Sequence, residues 1–130
     1  MRVVLDCNVL ISAGQTVGTC RKVIDRVVRH HQIILSAPIL SEYLAVAERP
    51  RLIPYVSALE SIIWEIEQSA IIVEPSNLEF GLRDRDDEVY LATAVAGDAV
   101  LITGNLRDFT KPRYGSVDVW SPREFLNQTT

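Results

Sequence analysis

Three apolar residues, Val3-Val4-Leu5, run straight into a carboxylate, Asp6, and apolar character resumes at Val9-Leu10-Ile11. A short continuous apolar run suits a strand buried on both faces, and such strands belong to parallel sheets covered by helices. Similar short runs return at residues 32–35, 70–73, 99–102 and 117–120, with helical periodicity between them. The chain is therefore expected to be an α/β protein with a parallel sheet and helices on both faces. In open sheets of that kind ligands bind beyond the carboxyl ends of the strands, where Asp6 is expected to stand.

The intervening segments fill in the helices. Asn8 is placed to cap a short helix over residues 9–12, and Gly14 to Gly18 reads as a flexible turn. From Thr19, the positions Val23, Ile24, Val27 and Val28 share one helical face and leave Arg21, Lys22, Asp25, Arg26 and Arg29 toward solvent. His30 and His31 follow at the end of that basic helix, where they complement its dipole. Ser36-Ala37-Pro38 signals a helix start, with Ile39, Leu40, Tyr43, Leu44 and Val46 or Ala47 as its core face, running to Glu48. Residues 56–69 are amphipathic through Leu59, Ile62, Ile63 and Ile66. Tyr43, Tyr55, Trp64 and Tyr90 fall at helical spacing with apolar residues and read as packing rather than base-stacking groups. Residues 75–86 have no period and read as a loop. Asp86 or Asp87 is expected to cap a helix with an apolar face of Val89, Leu91, Ala92, Val95 and Ala96 that ends at Gly97. Residues 106–114 read as a basic irregular loop, and residues 122–126 as a closing helical turn.

Size and charge narrow the class. With 130 residues, 48% of them hydrophobic, residues 1–130 are expected to form one domain. Thirteen basic against 17 acidic residues, a formal charge of −4, argue against coating nucleic acid by bulk electrostatics but not against cutting it at a local basic rim. Two cysteines without metal-type spacing exclude a disulfide framework, and no apolar run approaches the roughly 18 residues of a membrane span. A cytoplasmic protein with no membrane partner is expected.

The chemistry lies in the acids. Asp6 after the first strand, Glu42 early in the helix after the second, Asp86 and Asp87 at a helix start before the fourth, and Asp108 beyond the fourth all fall on the same side of the expected sheet. Carboxylates gathered in one crevice raise one another's pKa, and a hard divalent cation, Mg²⁺ or Mn²⁺, resolves that conflict with oxygen ligands. Such a site activates water and clamps a phosphodiester, the chemistry of hydrolytic nucleases. Arg83, Arg85, Arg107, Lys111 and Arg113 are candidates for an RNA-binding rim, although each taken singly is equally well explained as solubilising charge. No Gly-rich phosphate loop and no Ser-His-Asp arrangement competes.

The motifs resemble those of the PIN-domain family. Residues 4–12 (VLDCNVLIS), Glu42, residues 86–94 (DDEVYLATA) and residues 101–105 (LITGN) stand in that family's order, and the ending at residues 120–126 (WSPREFL) is similar to a branch regarded as toxins of bacterial toxin–antitoxin pairs, related to VapC-type ribonucleases. The resemblance implies a three-layer α/β/α sandwich with four to five central strands. It also implies an Mg²⁺- or Mn²⁺-dependent ribonuclease, often dimeric and held inactive by an antitoxin. On that pattern Asp6, Glu42 and Asp87 are the catalytic, metal-binding acids, with Asp86 as a supporting or alternate ligand. Asn8, Ser12, Thr103 and Asn105 are supporting groups. Asn105 stands where many members carry an acid, so either Asp108 substitutes or a second metal binds more weakly. Cys7 replaces a hydroxyl residue after the first acid.

Two other functions compete. A degenerate PIN domain would bind RNA or a protein partner without cutting, as Asn105 and the negative charge suggest. A haloacid-dehalogenase-like phosphohydrolase also begins with an apolar strand and an Asp, but its second Asp would be Asn8 here and the chain is short for its other motifs.

Overall fold

The structure is a computed structural model that describes residues 1–130. In chain order its elements are β1 (Arg2–Leu5), α1 (Cys7–Gln15), α2 (Thr19–His30), β2 (Gln32–Leu35), α3 (Ala37–Ala47), a 3-10 segment (Pro50–Tyr55), α4 (Val56–Ser69), β3 (Ile71–Ile72), α5 (Arg85–Gly97), β4 (Val100–Ile102), β5 (Arg113–Tyr114), β6 (Val117–Trp120) and α6 (Pro122–Gln128). The sheet runs β3-β2-β1-β4-β6-β5, parallel throughout except for β5 on its edge. Helices α1, α2, α4 and α6 pack on one another as one layer, and α5 lies along β1, β2, β4 and β6 as the other. The result is the expected three-layer sandwich, and no helix is long and apolar enough to cross a membrane.

Burial explains the apolar runs. Val3, Val4 and Leu5 are fully buried, and they pair in register with Val100, Leu101 and Ile102 of β4. The β1 and β4 strands therefore end side by side. The crevice beyond them lies where strand order reverses: the chain adds β2 and β3 on one side of β1, then crosses back through α5 to add β4 on the other.

The helices depart from the sequence pattern for identifiable reasons. Helix α1 covers Cys7–Gln15 instead of residues 9–12, and Asn8 lies inside it instead of capping it, because its amide is drawn to Asp6 and Gly104. Gly14 belongs to α1 rather than to a flexible turn, since a Cβ there would come within 2.6 Å of Leu59 Cδ2 on α4. Ser36 stands at the N-cap position of α3, but its buried hydroxyl bonds Thr93 of α5 at 2.8 Å instead of the helix amides. Helix α5 is capped by Asp84, whose side chain accepts from the Asp86 amide, and not by Asp86 or Asp87. Its buried face is Tyr90, Leu91, Ala92, Thr93, Ala94 and Gly97, whereas Ala96 is exposed. Helix α6 extends the expected turn to Gln128 behind a complete capping box of Ser121 and Glu124.

Several surface expectations also change. Leu44 and Trp64, read as packing residues, are 48% and 63% exposed. Arg21 and Arg26 do not point free into solvent: Arg21 donates to the Ala13 carbonyl, and Arg26 donates to the carbonyls of Leu126 and Thr129, tying the chain's end to α2. The His31 imidazole takes the amino terminus at 3.0 Å and packs edge-on against Phe125. Burial and that positive neighbour push its pKa down. The basic loop is not wholly irregular, because Arg113 and Tyr114 pair with Val117 and Asp118 across a turn with Gly115 at φ 59°, which makes six strands instead of four to five.

At Gly97 helix α5 lies close on β2, and an added methyl would overlap the buried side chain of Ile34. Gly97→Ala is expected to destabilise the protein by about 1–3 kcal/mol through overpacking. A lowered urea midpoint with an unchanged m-value would show it; an unchanged midpoint would mean that Ile34 yields to the added methyl.

Candidate active site

The site forms where β1 and β4 end. Asp6 is 3% exposed, and its backbone N–H donates to the Ile102 carbonyl at 3.0 Å, which locks the turn out of β1 onto β4. Its Oδ2 accepts from the Thr103 hydroxyl at 2.7 Å and from the Asn8 amide at 3.1 Å. Thr103 is itself fully buried and accepts from the Asn105 backbone N–H at 2.9 Å. The Asn8 carbonyl oxygen takes the Gly104 N–H at 3.0 Å. Asn8 and Thr103 thus join the two strand ends and fix the rotamer of Asp6.

Glu42 and Asp87 lie within electrostatic reach of Asp6, and Asp108 within reach of Asp87. Asp87, in the first turn of α5, has its Oδ2 buried with no hydrogen-bond partner. Burial first, then the charges of Asp6 and Asp108 and a carboxyl–carboxyl hydrogen bond with Asp108, push its pKa up to about 7. Burial also pushes Asp6 up, with the Glu42 carboxylate adding to the rise and the Thr103 hydrogen bond opposing it. Glu42, on α3, accepts from the Cys7 thiol at 3.1 Å, and burial and the two acids raise the pKa of that thiol. Asp108 reaches the cluster from the loop after β4, with its Oδ2 held by the Asn105 side-chain amide at 2.7 Å. Asp6, Glu42, Asp87 and Asp108 are therefore electrostatically linked, while Asp86 is exposed and outside the group. Ser12 is exposed on α1 and bonds none of the acids; it lines a separate polar cleft with Asn8, Cys20, Gly104 and Asn105.

The donor chemistry suits a hard divalent cation, because a buried, unpartnered carboxylate oxygen beside other acids is costly until a positive charge joins it. As placed, however, no three His, Cys, Asp or Glu side chains are close enough to close around an ion. The acids are assembled as charges, not as a finished coordination sphere.

The basic residues divide. Arg83, Arg107 and Lys111 line one cleft together with Asp108. Arg85 faces a different groove, between α5 and the loop before it. Arg113 is engaged by Asp118 at 3.0 Å and by the Gly115 carbonyl.

Sequence reasoning missed the support behind the acids. The hydroxyl of fully buried Tyr43 donates to the Leu5 carbonyl immediately before Asp6, and Ser36 and Thr93 join α3 to α5 behind Glu42 and Asp87. Glu88, next to Asp87, turns away from the cluster and accepts from the backbone amides of Phe80 and Leu82. The only sequence signal for these was polar residues inside otherwise apolar helical faces.

A PIN-domain family model matches residues 2–107, so the chain belongs to the PIN-domain family. No curated protein is significantly similar to it. Among solved structures it is similar to a chain in DNA-bound VapBC from Salmonella typhimurium, with a TM-score of 0.67, 16% identity, and 94% of this chain and 98% of that one covered. VapBC2 from Rickettsia felis, bound to a DNA fragment from its promoter, gives a TM-score of 0.64 at 18% identity, covering 93% and 98%. VapBC-1 from nontypeable Haemophilus influenzae gives 0.64 at 17%, covering 95% and 99%. At such identities the likeness establishes a shared fold over nearly the whole chain.

Proposed function

We propose that this protein is a divalent-metal-dependent endoribonuclease and the toxin of a toxin–antitoxin pair. The observation that carries the reading is the buried Asp87 oxygen left without a partner beside Asp6 and Asp108, at the strand ends of a PIN domain. Asp6, Asp87 and Glu42 would hold Mg²⁺ or Mn²⁺, with Asp108 in the role that the missing acid at Asn105 leaves open. A bound ion there supplies charge neutralisation of the phosphodiester and activation of the attacking water. Asn8 and Thr103 fix Asp6, Asn105 fixes Asp108, and exposed cations on the neighbouring loops orient the substrate backbone. The chain's likeness to chains of VapBC complexes supports an antitoxin as protein partner, and a homodimer is part of the same proposal.

The test is cleavage of a labelled single-stranded RNA by the purified chain. Cleavage is expected with Mn²⁺ or Mg²⁺, to stop with chelator, and to return on adding metal. Cleavage indifferent to chelator would refute the metal role. RNA binding without any cleavage would leave the degenerate binding module instead.

A further inference from the structure

The loop after β4 and the loop before α5 face each other across a cleft of about 290 Å³. Arg83, Arg107 and Lys111 line it, Asp108 forms its border with the acid cluster, and Phe80 and Tyr114 form an aromatic wall. We propose that this cleft is a subsite for a phosphodiester of single-stranded nucleic acid, adjacent to the bond cut at the acids; the proposal rests on the nuclease reading above.

Charge is the first argument. None of the three cations forms an ion pair, the protein's single salt bridge being Arg113 to Asp118. One oxygen of Asp108 is already occupied by the Asn105 amide at 2.7 Å. Three unpaired cations in one cleft attract an anion, and two guanidinium groups favour the paired oxygens of a phosphate. The wall is the second argument. Phe80 stands edge-on to Tyr114 at 6.5 Å, and the Lys111 ammonium sits 5.7 Å from the Tyr114 ring. Tyr114 is buried and steadies Phe80 and Lys111, and half-buried Phe80 is the aromatic group left beside the cations on which a base of a single strand can stack.

The cleft is also held in shape. Glu88 accepts from the Phe80 N–H at 3.0 Å and the Leu82 N–H at 2.7 Å, around Gly81 at φ 73°. That clamp sets the loop carrying Phe80 and Arg83 against Arg107 and Lys111. Glu88 is thus a positioning residue that acts through Arg83.

Fluorescence anisotropy with labelled RNA and DNA strands of one sequence, with chelator present so that nothing is cut, tests the assignment. Arg107→Ala and Lys111→Ala are each expected to weaken binding of both strands about five- to tenfold and to lower the salt slope of log affinity by about 0.7. Arg85→Ala and Arg113→Ala, outside the cleft, should stay within about twofold of the parent, as surface charges distant from the phosphate do. Glu88→Ala, which removes both acceptor oxygens, should weaken binding as Arg83→Ala does, and the double variant should be no weaker than Arg83→Ala alone, a non-additivity that general loosening of the fold would not produce. Unchanged affinity in the Arg107→Ala/Lys111→Ala double variant overturns the subsite, and a loss confined to RNA overturns its assignment to the phosphodiester. If those variants bind normally while the parent still cuts RNA with Mn²⁺, the subsite alone fails. If cation-dependent binding holds but no metal-dependent cleavage occurs, the nuclease reading fails and the subsite stands.

Discussion

Asp87→Asn is expected to make the metal-free protein more stable at pH 8 while reducing metal-dependent RNA cleavage about a thousandfold or more. The two effects have one cause. The Asp87 carboxylate is held near Asp6 and Asp108 with one oxygen buried and unpartnered, an arrangement that disfavours its charge until a cation arrives. Removing the charge relieves the repulsion. It also removes a group that would hold the ion, and a metal's contribution of several kcal/mol to a transition state corresponds to a rate factor of about that size.

The pH dependence follows with a definite sign. The Asp87 pKa is raised from 3.8 to about 7 in the folded protein, so between those values the folded state keeps a proton that the unfolded state has released. Stability with chelator present should therefore fall as pH rises from about 4 to about 7, and level off above. Thermal melts at pH 5 and pH 8 check this. Asp87→Asn should flatten much of the difference, whereas a parent protein that gains stability over this range would mean that the acids are not crowded as described.

Thr103→Val carries the second large effect. Thr103 is fully buried, donates to Asp6 Oδ2 at 2.7 Å, and accepts from the Asn105 N–H at 2.9 Å. Valine keeps the shape but leaves a buried carboxylate oxygen and a backbone amide each short of a partner. A loss of about 2–4 kcal/mol is expected, from one charge-assisted and one neutral hydrogen bond. Thr103→Ser retains both bonds and should recover most of the stability. Urea unfolding of the two variants decides the point: equal losses in both would assign the role of Thr103 to packing instead.

How far the chain can be read without coordinates depends on the kind of interaction. The strands were legible because β1, β2 and β4 are apolar on both faces, leaving little alternative to a covered parallel sheet. Asp6 and Asp87 were legible because a carboxylate at a strand end or helix start has a topological address. Asn8 was misread as a helix cap, since its side chain bonds Asp6 next to it and also Thr103 and Gly104, which lie more than 90 residues away and which a local rule does not see. Gly14 was misread as a turn for the same reason, because Leu59 fills the space beside it. Charged loops were the least legible part. Nothing local distinguishes Arg107, lining a cleft, from Arg113, paired with Asp118.

Buried Asp6 at the end of β1, with half-buried Glu42 and Asp87 beside it, is proposed to form a divalent-metal site. Calorimetric titration of Mn²⁺ into the parent, Asp6→Asn and Asp87→Asn proteins tests it most directly. Saturable binding by the parent and its loss in both variants is the predicted result. No binding by the parent, or binding undiminished in the variants, would contradict it.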